Sequence, residues 1–208
     1  MSNETPSRET TFGYLTTLQS PEHGYFGGYL IVSELGRPLE FHCTSPVRPS
    51  RAQEILYGPT LQPYLIGEQI GGSLLEAAKL TPRLILTDQA ATMVVRSRTE
   101  VPMVFVLARA ELQNAPAIQI DAASDTIVAS TAGDGAVLAP SSYGQFSAGN
   151  YELQLPFGFE SDQAVVIESL ALLTQHVDLA EPFGRIHEAI REAQRIGGRT
   201  SEVHGQAA

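Results

Sequence analysis

The sequence predicts an α/β (α+β) fold: a mixed, mostly buried sheet with an N-terminal hairpin and two C-terminal helices. Three observations predict it. Two runs rich in β-formers, Tyr25–Glu34 and Leu39–Thr44, flank the turn residues "ELGRP". "VPMVFVLA" (Val101–Ala108) is almost continuously apolar, the pattern of a strand covered on both faces. Glu160–Val177 and Pro182–Ile196 carry apolar residues at helical spacing.

Each element has a local reason. "FGYLTTL" (Phe12–Leu18) reads as a first strand and "SPEHG" (Ser20–Gly24) as a turn. In the second strand, Gly27-Gly28 permits a bulge or the close approach of another backbone. "LEFHCT" alternates: Leu39, Phe41 and Cys43 point one way, Glu40, His42 and Thr44 the other. The apolar set is expected to face inward. Ser50 opens a short helix, with Gln53 at capping-box spacing and Gly58-Pro59 as its stop.

A second helix is expected over Leu65–Lys79. Its Gly67, Gly71 and Gly72 point to close packing against a sheet or helix. "RLILTD" (Arg83–Asp88) reads as a strand, followed by a short helix through Ala90–Val95. Beyond Ala110–Pro116, a mild seam, "AIQIDA", "TIVAS", "AVLAP" and "YELQL" are short strand candidates, with a hairpin signal at "AGDGA" (Ala132–Ala136). "PSSYGQF" (Pro140–Phe146) reads as a loop. The Glu160–Val177 helix has its stripe at Ala164, Ile167, Leu170 and Leu173, widened by Val165, Val166 and Leu172, and is expected to be well buried. The last helix starts at Pro182 and is expected to end at Gly197-Gly198. The organisation expected is a polar N-terminus over 1–11, a single domain over 12–198 and a loose tail over 199–208.

The order strand, strand, strand, helix, strand, helix, strand over Phe12–Ala108 resembles the ribonuclease H-like fold. Nucleases of that fold hold metal with carboxylates on the first and fourth strands. The resemblance implies such a pair here. "FGYLTTL" contains no Asp or Glu, and Asp88 alone matches the fourth-strand acid. The resemblance therefore speaks for the fold and not for a nuclease.

Composition narrows the function classes. The 208 residues are 43% hydrophobic and 17% charged, as in globular proteins. The formal charge, 13 − 23 = −10, disfavours phosphate backbones and anionic membranes, so neither nucleic acid nor membrane is expected as a partner. The single Cys43 fits a reducing compartment, the start "MSNETPSRETT" has no apolar signal region, and no apolar run approaches bilayer length. A cytoplasmic location is expected.

Candidate chemistry is sparse. Cys43 and His42 are adjacent on a strand and so point to opposite faces; Cys43 reads as a small buried apolar residue. Glu40 and His42, two apart, share a face and are able to share a proton or supply two metal ligands; the alternative is a plain polar face. Asp88 sits at the carboxyl end of a strand, where open α/β sheets bind ligands, with Gln89 beside it. Its alternative role is to cap the helix that follows. Arg48 and Arg51, with Ser50 between them, form a possible clamp for carboxylate or phosphate. Arg96 and Arg98 form a second pair, and Arg191, Arg195 and Arg199 a stripe that the helix dipole explains. There is no GxSxG, HExxH, CxxC or phosphate-loop motif, so no cofactor and no metal site are expected. Two readings remain. One is a binding or assembly module with a protein partner or as a homo-oligomer. The other is a hydrolase-like or small-ligand-binding enzyme with Asp88, Glu40 and His42 in its cleft.

Overall fold

The computed structural model describes residues 10–108, 143–148, 150–156 and 158–204. The calls on residues 1–9, on the seam near 110–116, on the strand candidates and hairpin within 117–140, and on the last four residues lie outside them. The described chain has the α/β class expected from sequence. Strands β1 (Thr11–Ser20), β2 (Gly24–Ser33), β3 (Pro38–Cys43), β4 (Leu84–Thr87), β5 (Met103–Ala108), β6 (Tyr143–Ala148) and β7 (Tyr151–Pro156) form one sheet in the order β3-β2-β1-β4-β5-β7-β6. β1, β4 and β5 run parallel; β2 and β7 are antiparallel to their neighbours, so the sheet is mixed. β6 corrects one expectation: Tyr143–Phe146 is strand, not loop. Gln145 and Phe146 pair with β7, which supplies the hydrogen bonds that the local sequence does not advertise.

Alternation along β1 divides the core in two. Phe12 and Tyr14 face one layer, helices α3 (Gln163–Leu173) and α4 (Glu181–His204). Tyr14 meets Phe183 of α4 edge to face, with ring centroids 5.2 Å apart. Leu15, Tyr29 and Ile31 face the other layer. There, following the short helix α1 (Arg51–Tyr57) in the chain, lie a π-helical segment (Pro63–Gly71), helix α2 (Gly72–Ala77) and a 3-10 segment (Ala90–Arg98). Gly27 and Gly28 explain how both layers close on β2. A Cβ on Gly27 would clash with Ile70, and one on Gly28 with Ile186 of α4. The close approach expected of this pair is therefore present, once on each face.

Several boundaries and faces move. The helix expected over Leu65–Lys79 is a π-helical stretch followed by α2. Its glycines do pack closely: a Cβ on Gly67 would strike Val94 and one on Gly71 would crowd Val95. α3 buries Val166, Ser169, Leu170 and Leu173, while Val165 and Ile167 are exposed. The stripe is thus rotated from the expected one, and the helix is covered on one side only. α4 buries Phe183, Ile186 and Ile190 as expected but continues through Gly197-Gly198 to His204. Glycine inside a helix costs only about 1 kcal/mol, so two of them need not end it.

The hairpin β2–β3 forms as expected, but its faces are reversed. Leu39 and Phe41 are 38% and 40% exposed, and Cys43 is exposed. β3 is an edge strand, and α4 lies over β1 and β2, so it leaves the apolar side of β3 uncovered. Arg83 and Arg96 fasten α3 to the sheet side. Arg83 pairs with Glu168 at 2.7 Å. Arg96 makes a two-pronged contact with Asp162, 2.7 and 3.1 Å, and stacks over Phe159 at 4.2 Å.

Candidate ligand cleft

The sequence-derived candidates separate into two places. Glu40 and His42 are together: His42 Nε2 and Glu40 Oε1 are 2.6 Å apart. Asp88 is elsewhere. His42 pairs with Tyr29, Tyr29 with Leu15, and Leu15 with Thr87, so three strand spacings, roughly 14 Å, separate the row of His42 from the end of β4. Neither of the two described cavities is lined by Asp88, Glu40 or His42. Asp88 does not cap the next helix either. Gln89 occupies the cap position, without a side-chain cap bond, and the Thr87 hydroxyl accepts from the Gln89 N–H at 3.1 Å. The Thr87 hydroxyl also meets that of Thr92, at 2.6 Å, in a fully buried pair.

β1, one of the two strands on which the ribonuclease H-like resemblance implies an acid, has a threonine beside the end of β4. Thr16 of β1 is fully buried, and its hydroxyl lies 3.1 Å from His187 Nε2 of α4. Among the described residues no group of three or more His, Cys, Asp and Glu side chains is placed to hold a metal ion. Arg48 and Arg51 do not form a clamp with Ser50. Ser50 is used in the capping box expected from sequence, accepting from Gln53 N–H while the Gln53 side chain accepts from Ser50 N–H. Arg51 pairs with Glu54 at 2.9 Å, and both arginines are exposed.

Glu40 instead builds a wall. Its carboxylate accepts hydrogen bonds from the main-chain N–H groups of Lys79 and Leu80, at 2.8 and 2.9 Å, as well as meeting His42. The hydrogen bond from His42, followed by those from Lys79 and Leu80, holds its pKa down at about 2, against the partial burial that pushes the other way. The polar face of β3, expected to be a possible reactive pair or a bare surface, is thereby tied to the segment that follows α2.

That segment borders a cleft of about 210 Å³. Tyr29 of β2, Ile85 of β4 and Val95 of the 3-10 segment form its floor, each buried. Burial, then the charge of Glu40, raises the Tyr29 hydroxyl well above the ordinary tyrosine range, so it stays neutral. At the mouth, Arg98 Nη2 stands 3.3 Å from Glu76 Oε1, and Arg98 Nη1 donates to the Glu68 carbonyl at 3.4 Å. Gly72 makes room for that guanidinium: a Cβ there would lie 3.1 Å from Nη1. The second cavity, about 440 Å³, is bounded by the turn after β6 and the α3–α4 connection, with Tyr151 donating to Asp178 at 2.7 Å. Its walls are the adjoining ends of β6 and β7 and the α3–α4 connection, whereas the first lies over side chains from the middle of the sheet. Sequence reading missed the first cleft because its residues come from four elements. The only local signal was the alternation that put Glu40 on the face of β3 opposite Phe41.

No protein-family model and no curated protein matches this chain. Among solved structures it is similar to Ciona intestinalis endonuclease V in complex with an inosine-containing DNA, at 14% identity and TM-score 0.34. That match covers 49% of this chain and 46% of the other, so the chain spans about half of that protein. It is similar to human ENDOV at 10% identity and TM-score 0.40, covering 89% of this chain and 86% of the other. It is similar to Marinitoga piezophila Argonaute in complex with 5′ OH guide RNA at 9% identity and TM-score 0.34, covering 84% of this chain and 27% of the other. The expectation from net charge that nucleic acid is no partner does not stand, because two of these three proteins were solved with DNA or RNA. A charge of −10 is a sum over the whole surface and does not set the field over any one face. Among the described residues no helix is long and apolar enough to cross a membrane.

Proposed function

We propose that this protein is a small-ligand-binding α/β module and that the cleft over Tyr29, Ile85 and Val95 is its binding site. The observation that carries the reading is the combination of a buried apolar floor with a charged mouth, the usual make-up of a ligand site. Glu40 adds support, because two of its hydrogen bonds, from the N–H groups of Lys79 and Leu80, fix the segment beside that cleft. The Thr16–His187 hydrogen bond speaks against the strand ends as the working site, since it uses the hydroxyl and the imidazole on each other.

The test is amide-shift mapping of the isotope-labelled protein with a library of small metabolites. Binding is expected to move the signals of Tyr29, Ile85, Val95 and Val101 and to be weakened by Thr81→Trp, an exposed position at the cleft. Shifts gathered at Thr16, Asp88 and His187 instead would overturn the reading. So would tight, salt-dependent binding of DNA or RNA that no metabolite displaces.

A further inference from the structure

We infer that the cleft takes a free amino acid with a short aliphatic side chain. The inference rests on the cleft being the binding site and goes on to name the chemistry of its ligand. The first argument is the balance of charge at the mouth. Arg98 and Glu76 face each other there, one cation and one anion. A simple carboxylate entering beside Arg98 would meet the Glu76 charge, and a simple amine beside Glu76 would meet Arg98. A zwitterion matches both at once.

The second argument is that the mouth opens at little cost. The Arg98–Glu76 contact is 3.3 Å, longer than the roughly 2.7–2.9 Å of a tight charged hydrogen bond. The two side chains are 48% and 73% exposed, and exposed pairs of this kind contribute only about 0–1 kcal/mol. Arg98 does not depend on Glu76 for its place, because it also donates to the Glu68 carbonyl and lies against Gly72. When a ligand parts the pair, the guanidinium presents its fork to a carboxylate, and Glu76 accepts from an ammonium group.

The third argument is size and lining. About 210 Å³ is below the roughly 300–1,000 Å³ of sites for drug-sized molecules, so nucleotides and flavins are too large. Tyr29, Ile85 and Val95 are buried at the bottom, and the apolar surface left to a ligand belongs to Leu75 and Val101, half-buried, and to the exposed Leu80. Those side chains reward a short aliphatic body, which glycine lacks.

The experiment is calorimetric titration, with amide-shift mapping alongside, using L-leucine, L-valine, glycine, isocaproate and isoamylamine. Isocaproate keeps the carboxylate and body of leucine without the ammonium; isoamylamine keeps the ammonium and body without the carboxylate. Leucine or valine is expected to bind in the millimolar range or tighter and at least about tenfold better than the other three, a difference of about 1.4 kcal/mol. Arg98→Gln and Glu76→Gln, both on exposed side chains, are each expected to weaken leucine binding about tenfold or more without changing the melting temperature by more than a few degrees. Equal binding of leucine and isocaproate, or unchanged leucine binding in both variants, would overturn the inference. If another small molecule moves Tyr29 and Val101 while the amino acids do not, the ligand class fails and the binding site stands. If no small molecule moves those signals, both fail.

Discussion

Glu40→Ala should separate a structural carboxylate from a reactive one. The wild-type carboxylate is 13% exposed and takes three hydrogen bonds: from His42 at 2.6 Å, Lys79 N–H at 2.8 Å and Leu80 N–H at 2.9 Å. A hydrogen bond to a charged group contributes about 1.5–3 kcal/mol when the donor is buried. Lys79 and Leu80 are exposed, so water replaces Glu40 on their N–H groups in the variant, and each of those bonds counts for about 1 kcal/mol or less. Together the three give about 2–4 kcal/mol. For a chain of this size that is a fall in melting temperature of roughly 5–15 °C. Glu40→Gln keeps the shape and an acceptor oxygen and should lose about half as much. The measurement is chemical denaturation at neutral pH. A loss in Glu40→Ala below about 0.5 kcal/mol would refute the wall role.

The same residue sets a pH dependence. Its carboxyl has a pKa near 2 in the folded protein, below the ordinary 4.5. The unfolded chain therefore binds this proton more readily, and the stabilisation is fully present above the unfolded value. It is lost as pH falls from about 4.5 toward 2. The stability gap between wild type and Glu40→Ala should narrow across that window. A gap that stays constant from pH 6 to pH 2.5 would sink the assignment of the charge to these three donors.

Other perturbations test the packing. Gly28→Ala places a methyl where Ile186 sits and should cost about 1–3 kcal/mol by overpacking, read from denaturant midpoints; a neutral result would mean that α4 does not lie on β2. Cys43 is exposed and should be modified by a thiol reagent in the native protein within minutes, and protection until unfolding would return it to the interior. Ser50→Ala removes a capping box and should cost about 0.5–2 kcal/mol at most, the lower end being expected for a short helix with no buried residue.

What the sequence shows and hides follows from the range of the forces involved. Capping is local: Ser50 and Gln53 are three apart and their bonds form as the spacing says. Strand existence is nearly local, because Tyr29, Leu30, Ile31 and Val32 leave little choice but a covered strand. Which face of β3 is covered is not local. Leu39, Phe41 and Cys43 form an apolar row, yet the cover on that side stops at β2, while Glu40 on the polar side finds Lys79 and Leu80, residues 39 and 40 positions away. Alternation alone gives the two faces and not their environments. The π-helical turn of Pro63–Gly71 was equally hidden, since its glycines signal close packing but not the winding that achieves it.

The position of the cleft itself follows from lengths. β2 has ten residues and spans about 33 Å, whereas α2 has six and spans about 9 Å. α2 continues directly from the π-helical segment Pro63–Gly71, and this cover of the strand row stops at Ala77. α2 ends where Ala78 turns extended, and the chain then crosses through Leu80 and Pro82 to β4. Beneath this crossing lie Tyr29 and Ile85, with Val95 at the far side, all three buried. On the opposite face of the sheet, α4 runs past Thr16 and places His187 and Ile190 over it and its neighbour Gly28. One face of the sheet is thus covered by the 24-residue α4 together with α3, and the other by the π-helical segment, α2 and the 3-10 segment. Glu40 holds the main chain of Lys79 and Leu80 beside the cleft through two hydrogen bonds.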